Sequence, residues 1–185
     1  MLTERFDEAL AYASRIHRSQ KRKGTSIPYV SHLLAVASLT LEYGGNEDQA
    51  IAALLHDAVE DQGGLERLAD IKIRFGSAVA RIVSDCTDAW EEPKPPWRAR
   101  KEAYLASLET KPDSSLLVSL ADKTHNARAI VSDRRHQGES VWNRFNQDRQ
   151  SIVWYYRELA ETFAARIPGE LADELRRMTN AMAAN

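Results

Sequence analysis

Residues 51–61 read I-A-A-L-L-H-D-A-V-E-D, and they decide the fold because an apolar run at helical spacing predicts a buried helix. The apolar residues run directly into His56 and Asp57, and Glu60 and Asp61 follow before two glycines. Residues three or four apart share a helix face, so one patch is predicted to carry an imidazole and carboxylates. Clustered carboxylates repel one another when buried, so the pattern indicates either a cation site or an exposed face with a local salt bridge.

The composition predicts one globular domain, or one with a small appendage. The chain has 185 residues, of which 43% are hydrophobic and 28% charged, and its formal net charge is −2. A nearly neutral chain disfavours nucleic-acid binding, which requires a basic face. The apolar runs are too short to cross a bilayer and the N-terminus lacks a secretory-signal pattern, so we expect a cytoplasmic protein without a membrane partner. The single cysteine, Cys86, cannot form an internal disulfide and is interpreted as a small buried apolar residue.

Helical periodicity extends over most of the chain, and no period-two strand pattern interrupts it. We therefore predict an all-α, single-domain bundle of roughly eight to ten helices over residues 1–185, with a core at about 3–165 and a C-terminal helix at about 168–182. The predicted helices are 4–19, 32–43, 47–62, 65–75, 77–89, 97–108, 114–132, 141–165 and 168–182. Ser31 is the predicted N-cap of the second helix. Loops are predicted at 93–96, where prolines exclude helix, and at 133–140.

Basic residues cluster at two places, 18–23 and 98–101. Arg98, Arg100 and Lys101 fall in the first turns of a predicted helix, where positive charge opposes the helix dipole. Either a bound anion or a solvated charged face accounts for them. Local clusters on a nearly neutral chain suit a small polyanion better than a long one.

Three apolar helices are each interrupted by residues that can bind a metal: His32 on one, His56 and Asp57 on the next, and Asp122 on a third. A lone histidine such as His32 is usually a core or surface residue with ordinary hydrogen bonds. A buried aspartate needs a partner, however, and convergence of all four on one ion would give each residue one. Two imidazoles with two carboxylates suit manganese, iron or zinc better than calcium, and an ion with open positions indicates catalysis.

Four blocks of sequence share one family pattern. They are R-K-G-T-S-I-P-Y-V-S-H at 22–32, A-A-L-L-H-D-A-V-E-D at 52–61, F-G at 75–76 with V-A-R-I-V-S-D-C-T-D at 79–88, and L-A-D-K-T-H-N-A-R at 120–128. From about the first helix to about residue 131, the chain resembles the hydrolase domain of the RelA/SpoT alarmone enzymes in the HD phosphohydrolase superfamily, and especially the small alarmone hydrolases. The resemblance implies an HD-type helical bundle.

The resemblance also implies roles for individual residues. One manganese ion would be held by His32, His56, Asp57 and Asp122, and the catalytic carboxylates would be Glu60 and Asp61. The implied nucleotide contacts are Arg22, Lys23 and Asn126. Further candidate phosphate contacts are Arg98, Arg100 and Lys101, with Lys123 a weaker one. His125 is expected to support Asp122, whereas His17 and His136 look peripheral.

The implied activity is a metal-dependent hydrolysis that removes the 3′-diphosphate of (p)ppGpp and leaves GDP or GTP and pyrophosphate, in the stringent response. One alternative is the same chemistry on another nucleotide, such as (p)ppApp or NADPH. A second is a module that binds an alarmone without cleaving it. Thr124 and the loop 23–28 depart from the family pattern, which bears on base recognition more than on chemistry. The sequence indicates a small nucleotide as partner and no obligate protein partner, and it is compatible with a homo-oligomer.

Overall fold

Ten α-helices and one 3-10 helix form the regular structure of the described residues, 1–88 and 93–184 of the computed structural model. They are α1 Glu4–Ile16, α2 Val30–Glu42, α3 Glu47–Leu55, α4 Ala58–Asp61, α5 Gly64–Phe75, α6 Ser77–Cys86, α7 Trp97–Leu108, α8 Asp113–Gln137, the 3-10 helix Gly138–Arg144, α9 Arg149–Arg166 and α10 Glu170–Ala183. An isolated bridge between Lys21 and Pro28 is the β-type pairing within these ranges. The predicted all-α bundle is confirmed.

Helix α3 lies at the centre of the bundle because its residues after the first turn are apolar on every side. Asn46 and Gln49 form a capping box that starts the helix, and residues 50–55 have no exposed surface. The helix packs against α1, α2, α6 and α8. Each fully buried leucine contributes about 1.5–3 kcal/mol to folding, so the C-terminal end of α3 is held in a fixed place.

Helices α2 and α8 pack against α3 and against each other. His32 lies in α2 and Asp122 lies in α8, while His56 and Asp57 follow the last residue of α3. The packing of these three helices therefore brings together residues that are far apart in the sequence.

The predicted helix 47–62 is broken at His56 and Asp57, which is a correction with consequences for the site. Asp57 adopts φ −95° and ψ −2°, outside the usual α-helical region. The one-turn helix α4 follows, and its Asp61 N–H donates to the Asp57 carbonyl over 3.0 Å. The break turns His56 and Asp57 towards α2 and α8, a geometry that uninterrupted helical periodicity does not predict.

The second half of the chain differs from the prediction in two places. Residues 133–140 are helical and not a loop, because α8 continues until Gly138, whose φ of 64° stops it. The predicted helix 141–165 is divided, because residues 145–148 are not helical and Asp148 caps α9 by accepting from Ser151 N–H over 2.7 Å. In the extended part of α8, Asp133 pairs with Arg144 and so ties the helix to the 3-10 turn.

Two predicted boundaries near the site also shift. Helix α2 begins at Val30 with Tyr29 in the cap position, so Ser31 is inside the helix and is not its N-cap. Helix α6 ends at Cys86, and Ala89, the predicted last residue of that helix, lies outside the described residues. In the described ranges, no helix is both long enough and apolar enough to span a membrane.

Candidate metal centre and active site

Four side chains from three parts of the bundle converge, and we call these candidate metal ligands the ligand quartet: His32, His56, Asp57 and Asp122. His32 Nε2 lies 3.5 Å from Asp57 Oδ2 and 3.2 Å from Asp122 Oδ1. His56 Nε2 lies 2.9 Å and 3.6 Å from the same two oxygens. One ligand atom each from His32, His56 and Asp57 all lie within 4.8 Å of one another. The structure therefore brings together the residues that the sequence singled out.

The orientation of His56 places its Nε2 atom against the two carboxylates of the quartet. Its Nδ1 lies 2.8 Å from the carbonyl oxygen of Ala53, and a carbonyl only accepts, so the ring proton is on Nδ1. The Nε2 atom is buried and makes no hydrogen bond within the described part of the chain. An unprotonated nitrogen and a carboxylate oxygen at 2.9 Å repel each other unless positive charge lies between them. Burial lowers the pKa of His56, but Asp57 and Asp122 outweigh it and hold that pKa well above its ordinary value, so either a proton on Nε2 or a bound cation supplies this charge.

The second imidazole, His32, is oriented by a third one. His32 Nδ1 and His125 Nδ1 are 2.8 Å apart, so one of them donates to the other. Burial and the neighbouring His32 and Arg22 lower the pKa of His125 to about 4, so His125 is neutral and can accept. In the tautomer in which His32 donates from Nδ1, its Nε2 lone pair faces the quartet. His125 was expected to support Asp122; its contact is with His32 instead, and that expectation is corrected.

The two carboxylates of the quartet are held in the charged form by their surroundings. Tyr29 Oη donates to Asp57 Oδ2 over 2.5 Å, and Lys123 Nζ donates to Asp122 Oδ2 over 2.6 Å. Asn126 Nδ2 donates to Asp122 Oδ1 over 2.5 Å. Burial raises the pKa of Asp122, but Lys123 and the two histidines of the quartet overcome it and hold the pKa well below its usual range. Two anionic oxygens and two imidazole nitrogens form a donor set that suits a divalent transition metal.

A cavity of about 540 Å³ lies beside the quartet. Tyr29, His125 and Asn126 line it, and each of these three hydrogen-bonds a different member of the quartet. The rest of the lining is rich in positive and aromatic side chains: Arg22, Lys23, Lys101, Lys123, Arg144, Trp97, Phe145, Tyr155 and Tyr156. Arginine and lysine bind phosphate oxygens and aromatic rings stack on bases, so the lining suits a phosphorylated nucleotide.

The predicted substrate contacts divide into two groups. Arg22, Lys23, Asn126 and Lys101 line the cavity. Arg22 Nη2 donates to Asn126 Oδ1 over 2.7 Å, and Lys23 Nζ donates to Asn146 Oδ1 over 3.0 Å. The described lining does not include Arg98 and Arg100.

The carboxylate of Asp88 pairs with two of the basic residues in the first turns of α7. Arg100 donates to both Asp88 oxygens over 2.9 and 3.0 Å, and Lys101 pairs with the same carboxylate. The Asp88 side chain is only 8% exposed, so an internal anion neutralises this part of the helix. Arg98 instead pairs with Glu102 at the surface and lies over the ring of Trp154.

The two candidate catalytic carboxylates have different partners. Glu60 Oε1 accepts from Lys94 Nζ over 2.7 Å, and Asp61 Oδ2 accepts from Gln20 Nε2 over 2.8 Å. Crowding by protein atoms and the negative charges of Asp57 and Glu60 raise the pKa of Asp61 to about 6, although its edge remains open to solvent. The part of the cavity lining that the structure describes contains neither carboxylate. The single ionisable patch expected from helical spacing is thus divided into two parts.

Sequence reasoning missed several residues around this site. His17 was expected to be peripheral, but it is 2% exposed and its ring stacks on Tyr29 with a centroid distance of 5.4 Å. Its Nδ1 lies 2.6 Å from Gln20 Oε1. Tyr29 was inside a quoted motif without a role, and Asp88 was part of another. A polar residue in a loop carries no periodic signal, so nothing in the pattern marked Gln20.

Comparison with known proteins agrees with this geometry. A family model described as an HD domain matches residues 9–153. The chain belongs to the HD domain family. The human guanosine-3′,5′-bis(diphosphate) 3′-pyrophosphohydrolase MESH1 is 36% identical over 126 residues, which are 66% of this chain and 68% of the human protein. The guanosine-3′,5′-bis(diphosphate) 3′-pyrophosphohydrolase of Haemophilus influenzae is 34% identical over 64% of this chain, which corresponds to 17% of that longer protein.

The fold comparison extends over nearly the whole HD domain protein. A solved structure of a metazoan ortholog of SpoT, described as hydrolysing ppGpp, superposes with a TM-score of 0.80 at 25% identity and covers 97% of this chain and 96% of that one. The resemblance inferred from the four sequence blocks is therefore confirmed, as is the HD-type bundle.

Proposed function

We propose that this HD domain protein is a metal-dependent pyrophosphohydrolase that removes the 3′-diphosphate of (p)ppGpp and releases GDP or GTP and pyrophosphate. One observation carries the proposal: the ligand quartet adjoins a basic and aromatic cavity through three residues that contact both. The names of the human and Haemophilus relatives support the same reaction. We take residues 1–185 as one HD domain, with α10 packed on α8 and α9. Cytoplasmic location stays a prediction.

We propose His32, His56, Asp57 and Asp122 as the ligands of one Mn²⁺ ion. The buried Nε2 of His56 lies 2.9 Å from an Asp57 oxygen, and a cation would supply the positive charge that this pair of atoms needs. A bound divalent ion polarises a phosphoryl oxygen and lowers the pKa of a water molecule towards neutrality. The mixed nitrogen and oxygen donors suit manganese, and metal analysis of the purified protein would identify the ion.

The chain's own residues would bind the substrate and move the proton. Arg22, Lys23, Lys101 and Lys123 line the cavity and would neutralise the phosphates. Hydrolysis forms a bond from water to the phosphorus next to the 3′ oxygen and breaks the bond to that oxygen, which takes a proton. With a pKa of about 6, Asp61 can accept the proton of the attacking water near neutral pH. Glu60, held by Lys94, is placed to assist it.

The test is product analysis on a panel of nucleotides. Purified protein with Mn²⁺ is incubated with ppGpp, pppGpp, ppApp and NADPH, and products are identified by ion-exchange chromatography and phosphorus NMR. We expect pyrophosphate with GDP or GTP, loss of turnover with EDTA, and recovery with excess Mn²⁺. Cleavage restricted to ppApp or NADPH would replace the guanosine assignment. Tight binding of ppGpp without turnover of any nucleotide would indicate a sensing module and reject the proposal.

A further inference from the structure

Gln20 contacts one of the candidate catalytic carboxylates although it lies in neither the quartet nor the cavity lining of the described residues. Its side-chain amide reaches three groups on two segments of the chain, the end of α1 and the end of α4. Nε2 donates to Asp61 Oδ2 over 2.8 Å, and Oε1 accepts from Gln62 Nε2 over 2.6 Å. The same Oε1 lies 2.6 Å from His17 Nδ1. An amide with every one of these contacts cannot turn without losing several of them.

The chemistry of the neighbours fixes the direction of this amide. An ionised carboxylate only accepts hydrogen bonds, so the NH₂ group must face Asp61 and the oxygen must face the opposite side. On that side the Gln62 NH₂ group donates, and the His17 ring must carry its proton on Nδ1. Burial lowers the pKa of His17, which agrees with a neutral ring of this tautomer. A flipped amide would place an oxygen against the Asp61 oxygen and an NH₂ group against two donors.

Tyr29 links Gln20 to the quartet. The Tyr29 N–H donates to the Gln20 carbonyl oxygen over 2.9 Å, and the Tyr29 ring stacks on His17 at an interplanar angle of 21°. The Tyr29 hydroxyl donates to Asp57 in the quartet. Backbone and side chain of Gln20 are therefore both tied to the residue that holds Asp57, and Asp61 is held relative to Asp57 from outside its own helix.

We propose that Gln20 is a positioning residue of the hydrolase, which holds the Asp61 carboxylate at a fixed place relative to the metal ligands and keeps it directed to the reacting water. This inference rests on the proposed function, because it assigns Gln20 a role through Asp61. Asp61 is the exposed last residue of the one-turn helix α4, so burial does not fix the position of its side chain. The contact with Gln20 supplies the missing constraint. Misplacing a reacting group by about 1 Å can lower a rate about 100-fold.

The test uses the whole protein with Mn²⁺ and ppGpp. Gln20→Ala removes the amide, and Gln20→Glu keeps its size and its acceptor for Gln62 and His17 but replaces the donor with a charge that repels Asp61. Gln150→Ala, the same truncation at an exposed position, is the matched control. For both Gln20 variants we expect kcat to fall about 10- to 100-fold while KM and Mn²⁺ affinity stay within about threefold of the parent. The control should match the parent.

A double-mutant cycle separates positioning from general damage to the fold. If Gln20 acts through Asp61, Gln20→Ala should lower kcat by less than about threefold in an Asp61→Asn background. A full, multiplicative loss in that background would overturn the inference, as would a kcat within about threefold of the parent for both single variants. Gln20→Glu carries the test if thermal unfolding shows that Gln20→Ala does not fold. An Asp61→Asn variant with the kcat of the parent would instead reject the catalytic role in the proposed function.

Discussion

His32 and His125 face each other with their Nδ1 atoms 2.8 Å apart, although 93 residues separate them in the chain. One imidazole thereby fixes the ring orientation of another that belongs to the ligand quartet. A residue that hydrogen-bonds a metal-binding histidine from outside strengthens metal binding, because it fixes which ring nitrogen is free to bind the metal.

Replacement of His125 tests this relationship. We expect His125→Ala to weaken Mn²⁺ binding about 10- to 100-fold, since loss of an outer partner of a metal ligand has effects of that size. His136→Ala is the control, because His136 is exposed and its Nδ1 bonds the Ser132 carbonyl of its own helix. Calorimetric titration of the metal-free variants with Mn²⁺ gives both affinities. Equal affinity in the two variants would contradict the role of His125.

Loss of a quartet carboxylate should abolish metal-dependent turnover. Asp122→Asn keeps the shape of the side chain but removes the negative charge that interacts with Lys123 and the two histidines. We expect Mn²⁺ affinity to fall more than about 100-fold, beyond the effect of an outer partner. Asp173→Asn is the control, because Asp173 is half exposed and pairs with Arg176 at the surface. Full Mn²⁺-dependent activity of Asp122→Asn would reject the ligand assignment.

Glu60 is the second carboxylate whose role can be measured. Glu60→Gln should lower kcat about 100- to 10,000-fold if it takes part in proton transfer, with little change in Mn²⁺ affinity. Glu102→Gln offers a matched control, since Glu102 forms an exposed ion pair with Arg98. Steady-state kinetics with ppGpp distinguish the two. A Glu60→Gln variant with the kcat of the parent would leave Asp61 as the candidate for proton transfer.

The buried ion pairs of Asp88 lead us to predict an effect on the free energy of unfolding and on its pH dependence. Burial raises the pKa of Asp88, but Lys101 and then Arg100 overcome it, so the pKa in the folded protein is lowered. Asp88→Asn should lower the free energy of unfolding at pH 7 by about 2–4 kcal/mol, since breaking a buried pair costs about 3–5 kcal/mol and these partners keep some exposure.

The pH dependence follows from the sign of that shift. A lowered folded pKa adds stability above the unfolded value of about 3.9, and that stability is lost as pH falls through the folded pKa. The difference between parent and Asp88→Asn should therefore be constant above about pH 5 and shrink below about pH 4. Urea unfolding at pH 7, 5, 4 and 3 measures it. A difference that grows on acidification would contradict the assignment.

Helical spacing predicted most of the bundle because apolar residues at three- and four-residue intervals mark a buried face. It predicted the ligand quartet for a related reason, since ionisable residues inside apolar runs are costly to bury alone. It did not predict the break between α3 and α4, because the same spacing describes a continuous helix equally well. The consequence was the expectation of one patch, where Glu60 and Asp61 have separate partners.

The spacing of residues in the sequence did not predict contacts that depend on tertiary packing. The Asp88 carboxylate pairs with Arg100 and Lys101 and so explains the basic residues at the start of α7. The spacing of these residues does not indicate that the start of α7 lies next to the end of α6. Gln20 and His17 lie where helix α1 passes into a loop, and polar residues there are ordinary. Their roles appear only when the loop is seen next to α4.

Lys23 and Arg98 are both exposed candidate phosphate contacts, but they differ in whether they line the cavity. Lys23 lines the cavity, whereas the described lining does not contain Arg98. Lys23→Ala should raise KM for ppGpp about 10-fold with kcat nearly unchanged, since a charged hydrogen bond contributes about 1.5–3 kcal/mol and solvent screens part of it. Arg98→Ala should leave KM within about twofold, because its partners are Glu102 and Trp154. Added salt should raise KM of the parent more than that of Lys23→Ala, because the variant has lost one of the charges that salt screens. If Arg98→Ala raised KM as much as Lys23→Ala does, the start of α7 would contact the substrate directly.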